Sequence, residues 1–103
     1  MKAIYKGLGG GLAAFQTNGT LLYEGFIGLV PLATIRGNEV YAGPGFGLPL
    51  ATVRGNFVYE GIAGPARYQV IGNQVFAIHG GPPLLTGPGC TPVELAAAAV
   101  MLR

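Results

Sequence analysis

An aromatic residue recurs at nearly constant spacing along this chain of 103 residues. Two twelve-residue copies of the surrounding pattern, Leu32–Gly43 and Leu50–Gly61, are identical at nine positions. Self-similarity at a constant period is typical of repeat architectures, in which each copy is one supersecondary unit. The period is 18 residues for the first four aromatics and 17 for the last, at Tyr5, Tyr23, Tyr41, Tyr59 and Phe76.

Each copy carries the signal of a β-hairpin. Gly37-Asn38 and Gly55-Asn56 separate short runs of β-forming residues, and Asn18-Gly19 and Gly72-Asn73 provide the same signal in other copies. Glycine supplies the positive φ that a two-residue turn requires. We therefore predict four to five antiparallel hairpins over residues 3–78. The first copy has only its second strand, whose partner would come from the other end of the chain or from another subunit.

The turn at Gly37-Asn38 also predicts which residues face each other across the hairpin. Arg36 should lie opposite Glu39, and Ile35 opposite Val40. Because side chains alternate between the two faces of a strand, one face is aliphatic and the other mixes polar groups with one tyrosine. We expect the aliphatic face to form the core.

The pattern changes near the C-terminus. After a predicted loop over residues 79–90, Thr91 to Glu94 reads as a capping box with proline in the first turn. Residues 95–102 follow without a polar side chain, and four of them are consecutive alanines. A helix that is apolar on all sides has to be buried. We therefore predict a helix over residues 91–102 that fills or caps a curled sheet.

Together these signals predict a single, mostly β domain over residues 1–103. Its tandem hairpins would curl into a barrel or roll with one C-terminal α-helix. A flat stack of hairpins or a propeller-like ring is the alternative.

Composition favours self-association. Half of the residues are hydrophobic and 10% are charged, against roughly a quarter charged in average globular proteins. So few charges cannot cover the surface of a monomer well. We expect a homo-oligomer, with a symmetric dimer as the commonest form. The expected contact residues are the apolar ones between hairpins, Phe26, Ile27, Leu29, Val30, Phe46 and Leu48.

The sequence gives no support for a catalytic or metal site, or for nucleic acid or a membrane as a partner. The chain lacks Asp, Ser and Trp, and Cys90 and His79 are the sole members of their types. They could form a nucleophile and its base. We favour the interpretation that Cys90 is a buried thiol and that His79 ends a strand. We expect no catalytic residue, metal or cofactor, and a non-enzymatic role. A net charge of +2 argues against nucleic acid. Without an apolar run of ~18 residues, we expect a cytoplasmic protein rather than a membrane protein.

The alternative function is ligand binding by one face of the hairpins. Arginine and tyrosine share the polar face of two successive copies, at Arg36, Tyr41, Arg54 and Tyr59. Cations beside aromatic rings form platforms for glycans and other small ligands. The structural interpretation is that Arg36 pairs with Glu39 across the turn and that the tyrosines stabilise the sheet through cross-strand pairs.

The unit x-Thr-Ile/Val-x-Gly-Asn-x-Val-Tyr-x-Gly resembles the tandem repeats of short uncharacterised bacterial proteins that often end in an Ala/Leu-rich tail. The resemblance covers residues 3–78 and the tail at 95–102. It implies a bacterial origin. No activity is known for that group, so the resemblance assigns no functional residue.

Overall fold

Ten antiparallel strands close into a barrel around one helix in the computed structural model, which describes residues 1–9, 11–25, 30–45 and 47–102. Strands that follow each other in the chain are neighbours in the sheet, and the last strand pairs with the first. The mostly β barrel with a C-terminal helix is thus confirmed. The elements are β1 (Lys2–Lys6), β2 (Phe15–Thr17), β3 (Leu21–Glu24), β4 (Ala33–Arg36), β5 (Glu39–Ala42), β6 (Ala51–Arg54), β7 (Phe57–Glu60), β8 (Ala66–Ile71), β9 (Gln74–Ala77), β10 (Leu85–Thr86) and α1 (Pro92–Val100).

The hairpins have the predicted register. Arg36 lies opposite Glu39 and Ile35 opposite Val40. In three of the turns the first central residue is a glycine at positive φ, with values of 59°, 61° and 62° at Gly37, Gly55 and Gly72. The asparagine that follows each glycine does not have positive φ, so these are type II′ turns, whose twist matches that of the strands.

The segment predicted as a loop over residues 79–90 contains a strand, β10. This strand lies between β9 and β1 and closes the barrel. Thr86 lies opposite Tyr5, as Thr34 lies opposite Tyr41 in the unit formed by β4 and β5. The fifth unit is therefore assembled from the two ends of the chain.

Hydrogen bonds show that this split unit is equivalent to the others. The backbone N–H of Gly7 donates to the carbonyl oxygen of Leu84 at 2.9 Å. The same bond, at the same distance, joins Gly43 to Leu32 and Gly61 to Leu50. The partner of the unpaired first strand thus comes from the other end of the chain. Closure also leaves the barrel without the free strand edges at which sheets aggregate.

The core surrounds α1. Each unit contributes one large aliphatic residue, exposed by no more than 1%, to a ring around the helix: Ile4, Leu22, Val40, Val58 and Val75. Leu95 and the four alanines that follow it are fully buried, and α1 packs against β3 to β6 and β8 to β10. Alanine is the side chain that lets a helix fit into so narrow a barrel. The capping box at Thr91 and Glu94 is present as predicted.

The barrel has two distinct ends. The two-residue hairpin turns lie at one end, the turn end, and the connections between units lie at the other, the linker end. Strand β1 and the strands that follow a hairpin turn begin at the turn end, where α1 starts beside Lys2. The same strands finish at the linker end, at Lys6, Glu24, Ala42, Glu60 and Ala77.

Burial of α1 can be tested with Ala98→Asp. The carboxylate would have no water and no cationic partner at this fully buried position, so we expect a loss of about 3 kcal/mol or more in the free energy of unfolding. Urea denaturation at neutral pH measures it. Ala42→Asp makes the same change at an exposed site and should cost less than about 1 kcal/mol. Equal midpoints for the two variants would place the helix outside the barrel.

Candidate functional site

The predicted arginine–tyrosine face lies on the outside of the barrel. The guanidinium carbon of Arg36 lies 5.1 Å from the ring centroid of Tyr41, and that of Arg54 lies 4.8 Å from the ring of Tyr59. Within the described residues, Arg36 forms no ion pair with Glu39. Glu39 instead accepts a hydrogen bond of 2.7 Å from the Tyr41 hydroxyl, which raises the pKa of Tyr41.

The segments that follow β5 and β7 return over this outer face. Arg54 donates a hydrogen bond of 2.8 Å to the carbonyl oxygen of Ile62, and Thr52 donates one of 2.7 Å to that of Gly61. At Gly45, a Cβ atom would lie 2.8 Å from a guanidinium nitrogen of Arg36. The structure thus forms two separate arginine–tyrosine pairs, and each contacts the segment that follows its own hairpin.

A cavity of about 300 Å³ opens at the linker end beside the last turn of α1. It lies beside the point at which the register between β7 and β8 shifts, between Val58 and Tyr59. We call it the β7–β8 cavity. Among the four residues predicted to bind a ligand, only Tyr59 lines it. Its lining comprises Leu50, Ala51, Val58, Tyr59, Glu60, Arg67, Tyr68 and Val100.

A second cavity, of about 470 Å³, lies at the same end between α1 and strands β1 to β4. Lys6 and Glu24 are its charged residues, and its remaining wall is apolar. Glu24 and Glu60 therefore occupy equivalent repeat positions but line different cavities.

An ion pair with one buried member occupies the opposite, turn end. The Lys2 ammonium donates to Glu94 Oε1 at 2.8 Å, and the two side chains are 40% and 1% exposed, respectively. Burial by itself would raise the pKa of Glu94, but hydrogen bonds from Lys2 and from the backbone of Thr91 outweigh it and lower that pKa. The second carboxylate oxygen, Oε2, has no hydrogen-bond partner within the described residues. The pair joins β1 to the first turn of α1, 92 residues away in sequence.

Cys90 and His79 do not come together. His79 follows β9 at the linker end, whereas Cys90 precedes α1 at the turn end. Desolvation raises the pKa of the Cys90 thiol to about 11, so the thiol is protonated at neutral pH and a poor nucleophile. These two residues therefore do not form a nucleophile–base pair. Across the described residues, no three or more His, Cys, Asp or Glu side chains are placed to hold a metal ion.

Comparison of the chain with protein-family models, with curated proteins and with solved structures gave no match. The resemblance to bacterial repeat proteins therefore stays a prediction. In the described part of the chain, no helix has the length and apolar character needed to cross a membrane.

Sequence reasoning missed Arg67 and Tyr68, which line the β7–β8 cavity. A signal was available, because the spacing of the aromatic residues falls from 18 to 17 between Tyr59 and Phe76. A shorter period at one junction indicates that the strands there do not pair as they do elsewhere. The spacing could not indicate that a cavity lies beside this irregularity.

The Lys2–Glu94 pair predicts an acid-dependent stability. Because the pKa of Glu94 is lowered on folding, the stability it contributes is present above its ordinary value of 4.5 and is lost as the pH falls through its folded value. We expect the urea midpoint of the wild type to fall between neutral pH and about pH 3. Glu94→Gln cannot titrate and should show a smaller fall.

Glu24→Gln is the control for this prediction, because it makes the same change at an exposed site. It should keep the acid profile of the wild type. If Glu94→Gln and the wild type lost stability in parallel on acidification, Glu94 would not be the source of the acid-dependent stability.

Proposed function

We propose that the protein is a non-enzymatic structural or protein-interaction protein that works as a homo-oligomer, most simply a dimer. This proposal rests on the apolar side chains that are exposed at the linker end. Five large apolar side chains that belong to segments connecting the units at the linker end are more than half exposed: Leu8, Leu12, Val30, Leu48 and Ile62. We call them the apolar rim.

The apolar rim supports an oligomer for a physical reason. Monomeric proteins rarely expose apolar side chains in a group, because water then meets a continuous apolar surface. The rim residues Val30 and Leu48 were predicted at a subunit contact, and their side chains are 75% and 79% exposed. The other residues predicted there, Phe26, Ile27, Leu29 and Phe46, lie outside the described residues.

Closure of the barrel removes one reason to expect an oligomer, which was the first strand without a partner. The first strand has its partner within the chain, so a second copy is not needed to complete the sheet. Association would therefore rest on side chains of the apolar rim. A stable contact of this kind would bury on the order of 1,200–2,000 Å² in total.

A small-ligand or glycan-binding module that uses Arg36, Tyr41, Arg54 and Tyr59 is the second candidate. It is favoured by the repetition of one guanidinium above one ring on two adjacent hairpins. The hydrogen bond from Arg54 to the Ile62 carbonyl favours the structural role, because that donor is already in use. Both roles predict different outcomes for the same variants.

Light scattering at micromolar concentration tests the oligomer. We expect a mass of at least twice the 10.5 kDa of the chain, and we expect Leu48→Asp to shift the protein toward the monomer. Leu48 is 79% exposed, so the variant should keep the stability of the fold. A monomer mass for the wild type would contradict the proposal.

Ile71→Asp is the matched control for Leu48→Asp. Ile71 is also an exposed apolar residue, at 54%, but it lies beside the Gly72-Asn73 turn at the other end of the barrel. We expect the Ile71→Asp variant to have the same mass as the wild type. Dissociation by Ile71→Asp and not by Leu48→Asp would move the contact to the turn end.

Alanine substitution of Tyr41 and Tyr59 separates the two candidate roles. If the arginine–tyrosine pairs are structural, both variants should have lower melting temperatures, because each loses a ring covered by a guanidinium. A binding face would instead leave the melting temperature unchanged and remove ligands in a glycan array. Circular dichroism and the array together give the result.

A further inference from the structure

The β7–β8 cavity combines two charged side chains with apolar and aromatic residues in its lining. Glu60 and Arg67 are its charged residues, and Tyr59 and Tyr68 are its aromatic ones. The rest of the lining is aliphatic and comes from Leu50, Ala51, Val58 and Val100. A volume of about 300 Å³ lies at the lower limit for small-molecule sites, which are apolar pockets with a few placed polar groups. The cavity therefore suits one small molecule.

The two charged side chains are available to a ligand. The closest contact between Arg67 Nη2 and a Glu60 carboxylate oxygen is 3.3 Å, longer than the ~2.7–2.9 Å of a well-formed charge-assisted hydrogen bond. Their side chains are 56% and 49% exposed. A ligand can therefore engage both groups without breaking a tight pair.

The aromatic ring on the inner side of the cavity is that of Tyr68. The ring of Tyr59 lies on the outer face, beneath the guanidinium of Arg54. Tyr68 lies opposite Val58, so its ring is on the inner face of the barrel, where it packs against the core. Walls that are ordered before binding lose little entropy when a ligand enters.

We infer that the β7–β8 cavity binds a free α-amino acid with an apolar or aromatic side chain. Its carboxylate faces the planar fork of Arg67, its ammonium group faces Glu60, and its side chain lies against Leu50 and Tyr68. A zwitterion gives each protein charge a partner. A simple carboxylate would leave Glu60 unpaired, and a simple amine would leave Arg67 unpaired. A sugar carries no charge, so it would give neither Glu60 nor Arg67 a charged partner.

This inference does not depend on the proposed oligomer, although the cavity opens at the same end as the apolar rim. A contact through the rim would restrict entry to the cavity. Leu48→Asp should therefore bind the amino acid at least as tightly as the wild type. The residue does not line the cavity, so binding and association can fail separately.

The test is a titration of ¹⁵N-labelled protein with L-phenylalanine and L-leucine, followed by NMR. We expect saturable shifts of the Glu60, Arg67 and Tyr68 amides below about 10 mM ligand. Phenethylamine and 3-phenylpropionate, which each lack one charge, should bind about tenfold more weakly. Methyl glucoside should not bind. Absence of saturable shifts with either amino acid, or tighter binding of a single-charge analogue or of the glucoside, would overturn the inference.

Variants locate the site. Arg67→Gln and Glu60→Gln change exposed side chains and should keep the fold, while each weakens L-phenylalanine binding about tenfold. Glu24→Gln is the matched control, because it makes the same change in the second cavity and should bind as the wild type does. Unchanged binding in both cavity variants, or loss in the control alone, would show that the amino acid does not bind in the β7–β8 cavity.

Discussion

Burial of an apolar helix inside the barrel is the constraint on which the rest of the structure depends. The segment Leu95–Ala99 has no exposed surface, and it is stable only if apolar side chains surround it on all sides. The five units provide this environment by contributing one aliphatic residue each at a repeated position. A helix of larger side chains would not fit within that ring. The alanines of the helix and the aliphatic residues at the repeated position therefore depend on each other for close packing.

The outer face meets a different requirement, which is to hold glycine-rich connections in place. Threonine hydroxyls at equivalent positions donate to glycine carbonyl oxygens at 2.7 Å in three units, from Thr34, Thr52 and Thr86. Two of these units add an arginine above the tyrosine ring. Such side-chain bonds to the backbone satisfy polar groups that the sheet itself leaves without partners. The face that carries the best binding signal in the sequence is thus also the face that orders the connections.

How much could be predicted from the sequence depended on how far apart the interacting residues lie along the chain. The turn at Gly37-Asn38, the register around it and the capping box of α1 are local, so neighbouring residues are enough to predict them. The strand β10 and the Lys2–Glu94 pair join distant segments, and nothing near Lys2 indicates a buried partner. The sequence did contain one relevant sign, since Leu84-Leu85-Thr86 resembles Leu50-Ala51-Thr52. The β7–β8 cavity lies beside the register shift between Val58 and Tyr59, and the 17-residue spacing indicates that irregularity but not the cavity.

The fifth unit, made from both ends of the chain, has a consequence for synthesis. During translation β1 emerges first, yet its partner β10 follows about 80 residues later. At the roughly 5–20 residues per second of protein synthesis, the N-terminal strand waits several seconds or longer for that partner. The helix that fills the core emerges later still. The units between them can form as hairpins on the ribosome, but the barrel closes only after β10 has emerged.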